Sequence, residues 1–285
     1  MDRRTFFLTA PLVAAACTPS LGAFNRLTPK DANGRILLRD AAYGAHARQS
    51  LDLYAPEDAS GPLPVVVFLY GGSWRSGDKA DYAFAGRALA AQGFLTAIPD
   101  YRLVPEIRFP DFVEDCAAAV RWVADNAAAH GGDPERIVLI GHSAGAYNAM
   151  MLALDPRFLE QAGVDHAAIR GVAGLAGPYD FLPFDVDATR DAFGAAPDPA
   201  QTQPVNFARA DAPPLLLLWG EDDDTVGRRN LDGLTAAMRE VGGAVETKTY
   251  PGVDHIEIML ALSRLLRGRA PTLDDVTAFA RRVTA

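Results

Sequence analysis

Ile137-Val138-Leu139-Ile140-Gly141-His142-Ser143-Ala144-Gly145, running on into Ala146 to Leu154, is the stretch that decides the fold. Its four leading apolar residues suit a strand buried on both faces, and the Ala-, Met- and Leu-rich run after Ser143 favours a helix. Between the two, the chain must turn sharply. A serine at such a junction has its hydroxyl pushed clear of the sheet edge, and Gly141, Ala144 and Gly145 leave room for strand and helix backbones to approach. With seven serines and 25 glycines in 285 residues, chance supplies only about 0.05 copies of G-x-S-x-G. Ser143 is therefore the candidate reaction centre, the alternative being a purely structural turn.

Outward from this junction, strands and helices alternate. β-rich segments fall at 36–43, 49–55, 65–70, 95–99, 137–141, 171–175, 215–219 and 245–250, and helical patterns at 80–92, 111–129, 144–154, 228–241, 256–267 and 272–283. Phe112, Cys116, Ala119, Val120 and Val123 mark the apolar stripe of one such helix. The first two strands alternate polar with apolar residues across a brief link at Gly44 to Arg48, which predicts an antiparallel hairpin at the sheet edge. The remaining strands should run parallel. The expected architecture is an α/β fold with an eight-stranded, mostly parallel sheet, helices on both faces and little or no cap. Residues 178–213, rich in Pro, Asp and Ala and long for a connection, are placed to roof a pocket.

Composition bounds the possibilities. Hydrophobic content of 49% and charged content of 22% suit a single globular domain with a full core. A formal charge of −9 with no Lys/Arg stripe argues against a nucleic-acid surface. Arg3-Arg4-Thr5-Phe6-Phe7-Leu8 leads an apolar run to Ala16 that is too short for a membrane span and resembles a bacterial twin-arginine export signal. Ala14-Ala15-Ala16-Cys17 allows cleavage after a small-residue site. It also allows cleavage before Cys17 with a lipid anchor on the new thiol, as in a lipoprotein signal. Residues 1–23 are read as this signal and a disordered linker, and 35–285 as the catalytic domain of an exported protein, periplasmic or membrane-anchored. The alternative is a cytoplasmic chain with a misassigned start. Cys116, inside an apolar helix, reads as a packing thiol, so no internal disulfide is expected.

Several ordered motifs carry a family resemblance. Tyr70-Gly71-Gly72-Ser73-Trp74, Asp100-Tyr101-Arg102-Leu103 with Pro105-Glu106 and Phe109-Pro110, Gly141 to Gly145, Gly220 to Val226 and Gly252 to His255 together resemble α/β-hydrolases of the esterase/lipase group. Within it the chain is similar to small carboxylesterases, feruloyl-esterase-like proteins and kynurenine-formamidase-like enzymes with an H-G-G-x-W loop. The resemblance covers residues 35–283 and departs at Tyr70, where the family usually carries His. It implies a serine hydrolase that cleaves small or short-chain carboxylic esters through an acyl-enzyme, without a cofactor.

A serine hydroxyl needs a base, and imidazole has the pKa for it. Of five histidines, His255 follows the eighth strand and completes the order Ser, acid, His of this fold. His142 lies inside the turn and is expected to pack beneath it, while His46, His130 and His166 read as surface residues without metal-ligand spacing. The run Glu221-Asp222-Asp223-Asp224 after the seventh strand offers four acids to orient the imidazole. The family pattern G-x-x-D-x-x-V, laid on Gly220 to Val226, implies Asp223, with Asp222 and Asp224 as alternatives. Backbone N–H groups of Gly72, Ser73 and Ala144 are the expected oxyanion hole. Trp74 reads equally as a wall of the acyl pocket or as packing; Arg102 and Glu106 as ion-pair residues; Glu257 as a surface residue at a helix start. Two rivals stand beside the esterase: an amidase or formamidase on the same three residues, and a ligand-binding protein that kept the fold without turnover. A prolyl-type peptidase is disfavoured because no extra domain precedes the hydrolase region.

Overall fold

The apolar runs pair into one eight-stranded sheet in the order β1-β2-β4-β3-β5-β6-β7-β8. The strands are β1 (Gly34–Ala42), β2 (Ser50–Pro56), β3 (Leu63–Leu69), β4 (Leu95–Pro99), β5 (Gly132–His142), β6 (Ile169–Leu175), β7 (Leu215–Gly220) and β8 (Val245–Tyr250), seen in a computed structural model that describes residues 20–285. The stretch read as an export signal, with Cys17, lies outside the described residues. β1 and β2 form the expected antiparallel hairpin, β2 also runs antiparallel to β4, and β3 to β8 run parallel to one another. This order and direction make the α/β-hydrolase sheet that the motifs implied.

Nine helices join the strands among the described residues: α1 (Leu21–Leu27), α2 (Ala83–Ala91), α3 (Asp111–Asn126), α4 (Ala144–Leu154), α5 (Pro156–Ala162), α6 (Asp187–Phe193), α7 (Arg229–Glu240), α8 (Glu257–Leu260) and α9 (Thr272–Val283). They cover both faces. On β6, a Cβ at Gly171 would point at Phe279 and Val283 of α9, whereas one at Gly174, three residues on, would point at Met150 of α4. An odd spacing along a strand means opposite faces, so α9 and α4 flank the sheet. Every residue of α4 is buried, which explains why its sequence lacks a polar stripe.

Four elements depart from the sequence reading. The residues assigned to a disordered linker run into α1, whose Ser20 hydroxyl caps the Ala23 N–H. Asn25 ties α1 down through the Ala80 carbonyl and the Phe84 N–H, contacts supplied by α2 and the turn before it. The helix expected over 256–267 stops at Leu260, because Leu262 and Ser263 bond three residues back and the Ser263 hydroxyl then accepts from Leu266 N–H. Local side-chain bonds of this kind compete with helix continuation. The long 178–213 segment contains α6, and α5 was missed although Asp155-Pro156 is a cap followed by an N1 proline.

The junction after β5 is as tight as its small residues suggested. Ser143 sits at φ 53, ψ −123, and its N–H is taken by the Leu175 carbonyl at 2.9 Å. Gly145 then passes so close to β3 that a Cβ there would lie 2.1 Å from the Leu69 oxygen. Beneath the turn, His142 is buried, and its Nε2 lies 2.8 Å from the His255 carbonyl. A carbonyl can only accept, so Nε2 carries the proton. Burial, and secondarily the neighbouring His255, push this imidazole from 6.5 down to about 3.

Gly145→Ala should cost about 2–3 kcal/mol of stability through backbone overlap, read from urea unfolding, and an unchanged midpoint would contradict the close approach. The unfolded chain protonates His142 near 6.5 but the folded chain only near 3. The group's contribution is therefore complete above 6.5 and is lost as pH falls towards 3. Urea midpoints taken from about pH 7.5 to about pH 4 should fall more steeply for the wild type than for His142→Asn, and parallel profiles would remove His142 as the cause.

Candidate active site

Three loops at one rim of the sheet bring together residues far apart in the chain. The β5–α4 turn presents Ser143, the loop after β7 carries Asp223, and the loop after β8 carries His255. His255 Nδ1 lies 2.8 Å from Asp223 Oδ2, and His255 Nε2 lies 2.9 Å from Ser143 Oγ. The carboxylate can only accept, which puts the imidazole proton on Nδ1. The Nε2 lone pair then faces the serine hydroxyl.

Asp223 is set apart from its acidic neighbours by its bonds. Its other oxygen, Oδ1, accepts from the N–H groups of Thr225 (2.9 Å) and Val226 (2.8 Å), and the side chain is fully buried. Asp222, Asp224 and Glu221 are exposed. Crowding several buried charges around one imidazole would be repulsive, and the loop avoids it by turning a single carboxylate inward.

The loop after β3 faces Ser143 with an unusual backbone. Gly72, Ser73 and Trp74 all have left-handed φ, at 127, 55 and 58°. Gly72 has no alternative residue, since a Cβ would lie 2.2 Å from the Ser76 oxygen. For Ser73 and Trp74 such conformations cost about 1–3 kcal/mol each. Among the described residues no protein acceptor takes the N–H groups of Gly72, Ser73 or Ala144. Ser73 and Ala144 line the cleft with Ser143, whereas Gly72 stands one residue behind the wall.

The cleft holds about 340 Å³ and is walled by Trp74, Phe181, Val186 and Val226. Trp74 lines the cleft and is itself 97% buried, against Phe112, Tyr147 and Phe193. The 178–213 segment supplies Pro178, Phe181 and Val186 to the roof. Asn230 fastens its beginning by accepting from the Tyr179 and Asp180 N–H groups, both at 2.8 Å.

Two contributors escaped the sequence reading. Asn148 accepts from Trp74 Nε1 at 3.2 Å and is completely buried; an amide in the apolar run 144–154 was the available signal. Asn230 had none, being one polar residue at the start of a polar helix. The remaining expectations fall away from the cleft. Arg102 makes a two-pronged pair with Asp115, Glu106 pairs with His46, and Glu257 pairs with Arg269. Among the described residues no cluster of His, Cys, Asp and Glu could hold a metal ion.

Comparison with known proteins agrees with this architecture. The BD-FAE family model matches residues 51–238. An isoprenylcysteine alpha-carbonyl methylesterase, ICME, of Arabidopsis thaliana is 30% identical over 261 residues, covering 84% of this chain and 61% of its own. Esterase LipQ of Mycobacterium tuberculosis is 29% identical over 251 residues, covering 81% and 59%. The chain thus spans about three-fifths of the length of these curated relatives. Among solved structures, esterase B of Lactobacillus rhamnosis, inhibited by a C4-C4 tributyrin phosphonate, superposes with TM-score 0.79 at 21% identity, covering 91% of this chain and 89% of that one. Thermogutta terrifontis esterase 2 with propionate bound gives TM-score 0.70 at 24% identity, covering 90% and 96%. The chain belongs to the BD-FAE family, in the esterase group of the α/β-hydrolases.

Proposed function

We propose that the protein is a serine hydrolase that cleaves carboxylic esters of small or short-chain acyl groups through an acyl-enzyme. The observation that carries this reading is the unbroken chain of bonds from Asp223 through His255 to Ser143, at 2.8 and 2.9 Å. Ser143 attacks the ester carbonyl while His255 Nε2 takes the hydroxyl proton. Asp223 keeps the imidazole in the required tautomer and stabilises the imidazolium. Negative charge growing on the carbonyl oxygen meets the N–H groups of Ser73 and Ala144, with Gly72 behind them; one such donor is worth about 3 kcal/mol in the transition state. Collapse of the tetrahedral species expels the alcohol, which receives the proton from His255. Water, deprotonated by the same nitrogen, then attacks the acyl-enzyme, and departure of the carboxylic acid restores the Ser143 hydroxyl.

The relatives named as methylesterase and esterase support ester chemistry. For acyl size, the support is the cleft itself: 340 Å³ lies near the lower end of ligand pockets, and Trp74 and Phe181 close it from two elements. The solved esterases carry a propionate in one case and a C4-C4 tributyrin phosphonate in the other.

Ser143→Ala should abolish fluorophosphonate labelling and lower kcat by about 10⁴-fold or more, and Asp223→Asn should lower it by about 10⁴-fold with labelling slowed in step. Labelling of Ser143→Ala at the wild-type rate would remove Ser143 from the reaction. In a series of p-nitrophenyl esters, kcat/KM should peak at short acyl chains. Phe181→Ala should move that peak to longer chains by relieving the wall, and an unmoved peak would show that Phe181 does not set acyl length.

A further inference from the structure

We propose that Arg48 and Tyr70 are positioning residues that clasp the two ends of the oxyanion loop, an inference that rests on the hydrolase reading above. Tyr70 directly follows β3 and starts the loop, at the place where the family usually carries His. Its ring is fully buried and stacks between Tyr82 and Tyr101, with centroids at 5.0 and 5.1 Å. The hydroxyl donates to Asp100 Oδ1 at 2.5 Å and accepts from Arg48 Nη2 at 2.8 Å. Burial, together with the Asp100 charge, pushes the phenol well above its ordinary range, so it remains a donor.

Arg48 comes from the link between β1 and β2, and its guanidinium reaches three places. Besides the Tyr70 hydroxyl, Nη2 donates to the Gly77 carbonyl at 2.8 Å and Nε to the Tyr101 carbonyl at 2.8 Å. Tyr101 closes the circle by donating its own hydroxyl to the Tyr70 carbonyl at 2.9 Å, and Asp100 Oδ1 accepts from Lys79 N–H at 2.8 Å. One planar cation therefore ties the start of the loop, its end and the exit of β4 together. A lysine could not reproduce this, because it lacks the fixed fork.

Clasping matters here because the residues between the ties are strained. Ser73 and Trp74 keep their left-handed backbone only while the surroundings over-determine it. Asn148 holds the loop from the Trp74 side, and Arg48 with Tyr70 hold its two ends. Neither Arg48 nor Tyr70 lines the cleft. Their effect must pass through the placement of the Ser73 N–H, and a donor misplaced by about 1 Å costs about 10²-fold in rate. A loss of this kind falls on the transition state and leaves ground-state binding almost untouched.

The test compares Arg48→Ala, Arg48→Lys and Tyr70→Phe with the wild type on a short p-nitrophenyl ester, alongside thermal melting and phosphonate inactivation. Arg48→Ala should lose about 10–100-fold in kcat with KM within about twofold, and low-millimolar guanidinium should restore part of it. Arg48→Lys should remain impaired. Tyr70→Phe keeps the stacked ring, so it tests the hydroxyl even if Arg48→Ala does not fold, and it should lose about 3–10-fold in kcat. Phosphonate inactivation, which passes through a similar transition state, should slow in proportion. Folded variants with wild-type kcat, or losses confined to KM, would overturn the positioning role while leaving the hydrolase reading intact. A wild-type chain that neither turns over esters nor takes the phosphonate would instead overturn that reading, and this inference with it.

Discussion

Reversing from β5 into α4 leaves Ser143 at φ 53 and ψ −123, a conformation that L-residues avoid and that the chain must hold against its own preference. Much of the site architecture serves to hold it. The Leu175 carbonyl takes the Ser143 N–H, Gly145 presses against the end of β3, and His142 reaches beneath the turn to the His255 carbonyl. Because the supports come from β6, the end of β3 and the loop after β8, the turn cannot relax without disturbing the sheet. The strained serine and the parallel sheet are thus one construction.

The same logic recurs on the facing side of the cleft. The loop after β3 contains two non-glycine residues in left-handed conformations, held by an aromatic cluster, a buried amide and the polar ring around Asp100. Trp74 shows how packing and site shape become inseparable. Its indole stacks edge-on against Tyr147 and Phe193 while one side faces the cleft, so the group that anchors the loop also limits what can enter. The roof joins this cluster through Phe181 and Phe193, and Asn230 ties it to the start of α7.

Much of this was legible in the residues. Near-continuous apolar runs located the inner strands because a strand covered on both faces has no polar side to alternate. The glycines around Ser143 signalled close backbone approach, whereas α5 was missed because its hydrophobic period is too short to show, even with a cap and N1 proline at Asp155-Pro156. Harder to see were elements whose stability is borrowed. The helix Leu21–Leu27 depends on Ala80 and Phe84, and the end of α8 depends on a single hydroxyl at Ser263. Neither dependence leaves a periodic trace.

By itself the chain determined the alternation of strands and helices, the turn at Ser143 and the pool of candidate acids and bases, since those follow from local propensity, hydrophobic period and residue chemistry. Only the tertiary structure decided which carboxylate turns inward, that Arg102 pairs with Asp115 while Glu106 pairs with His46, and that Arg48 reaches a loop more than twenty positions away. Each of those outcomes depends on a direction in space set by distant strands. Asp222, Asp223 and Asp224 are chemically alike, and burial together with the two N–H donors of Thr225 and Val226 tells them apart.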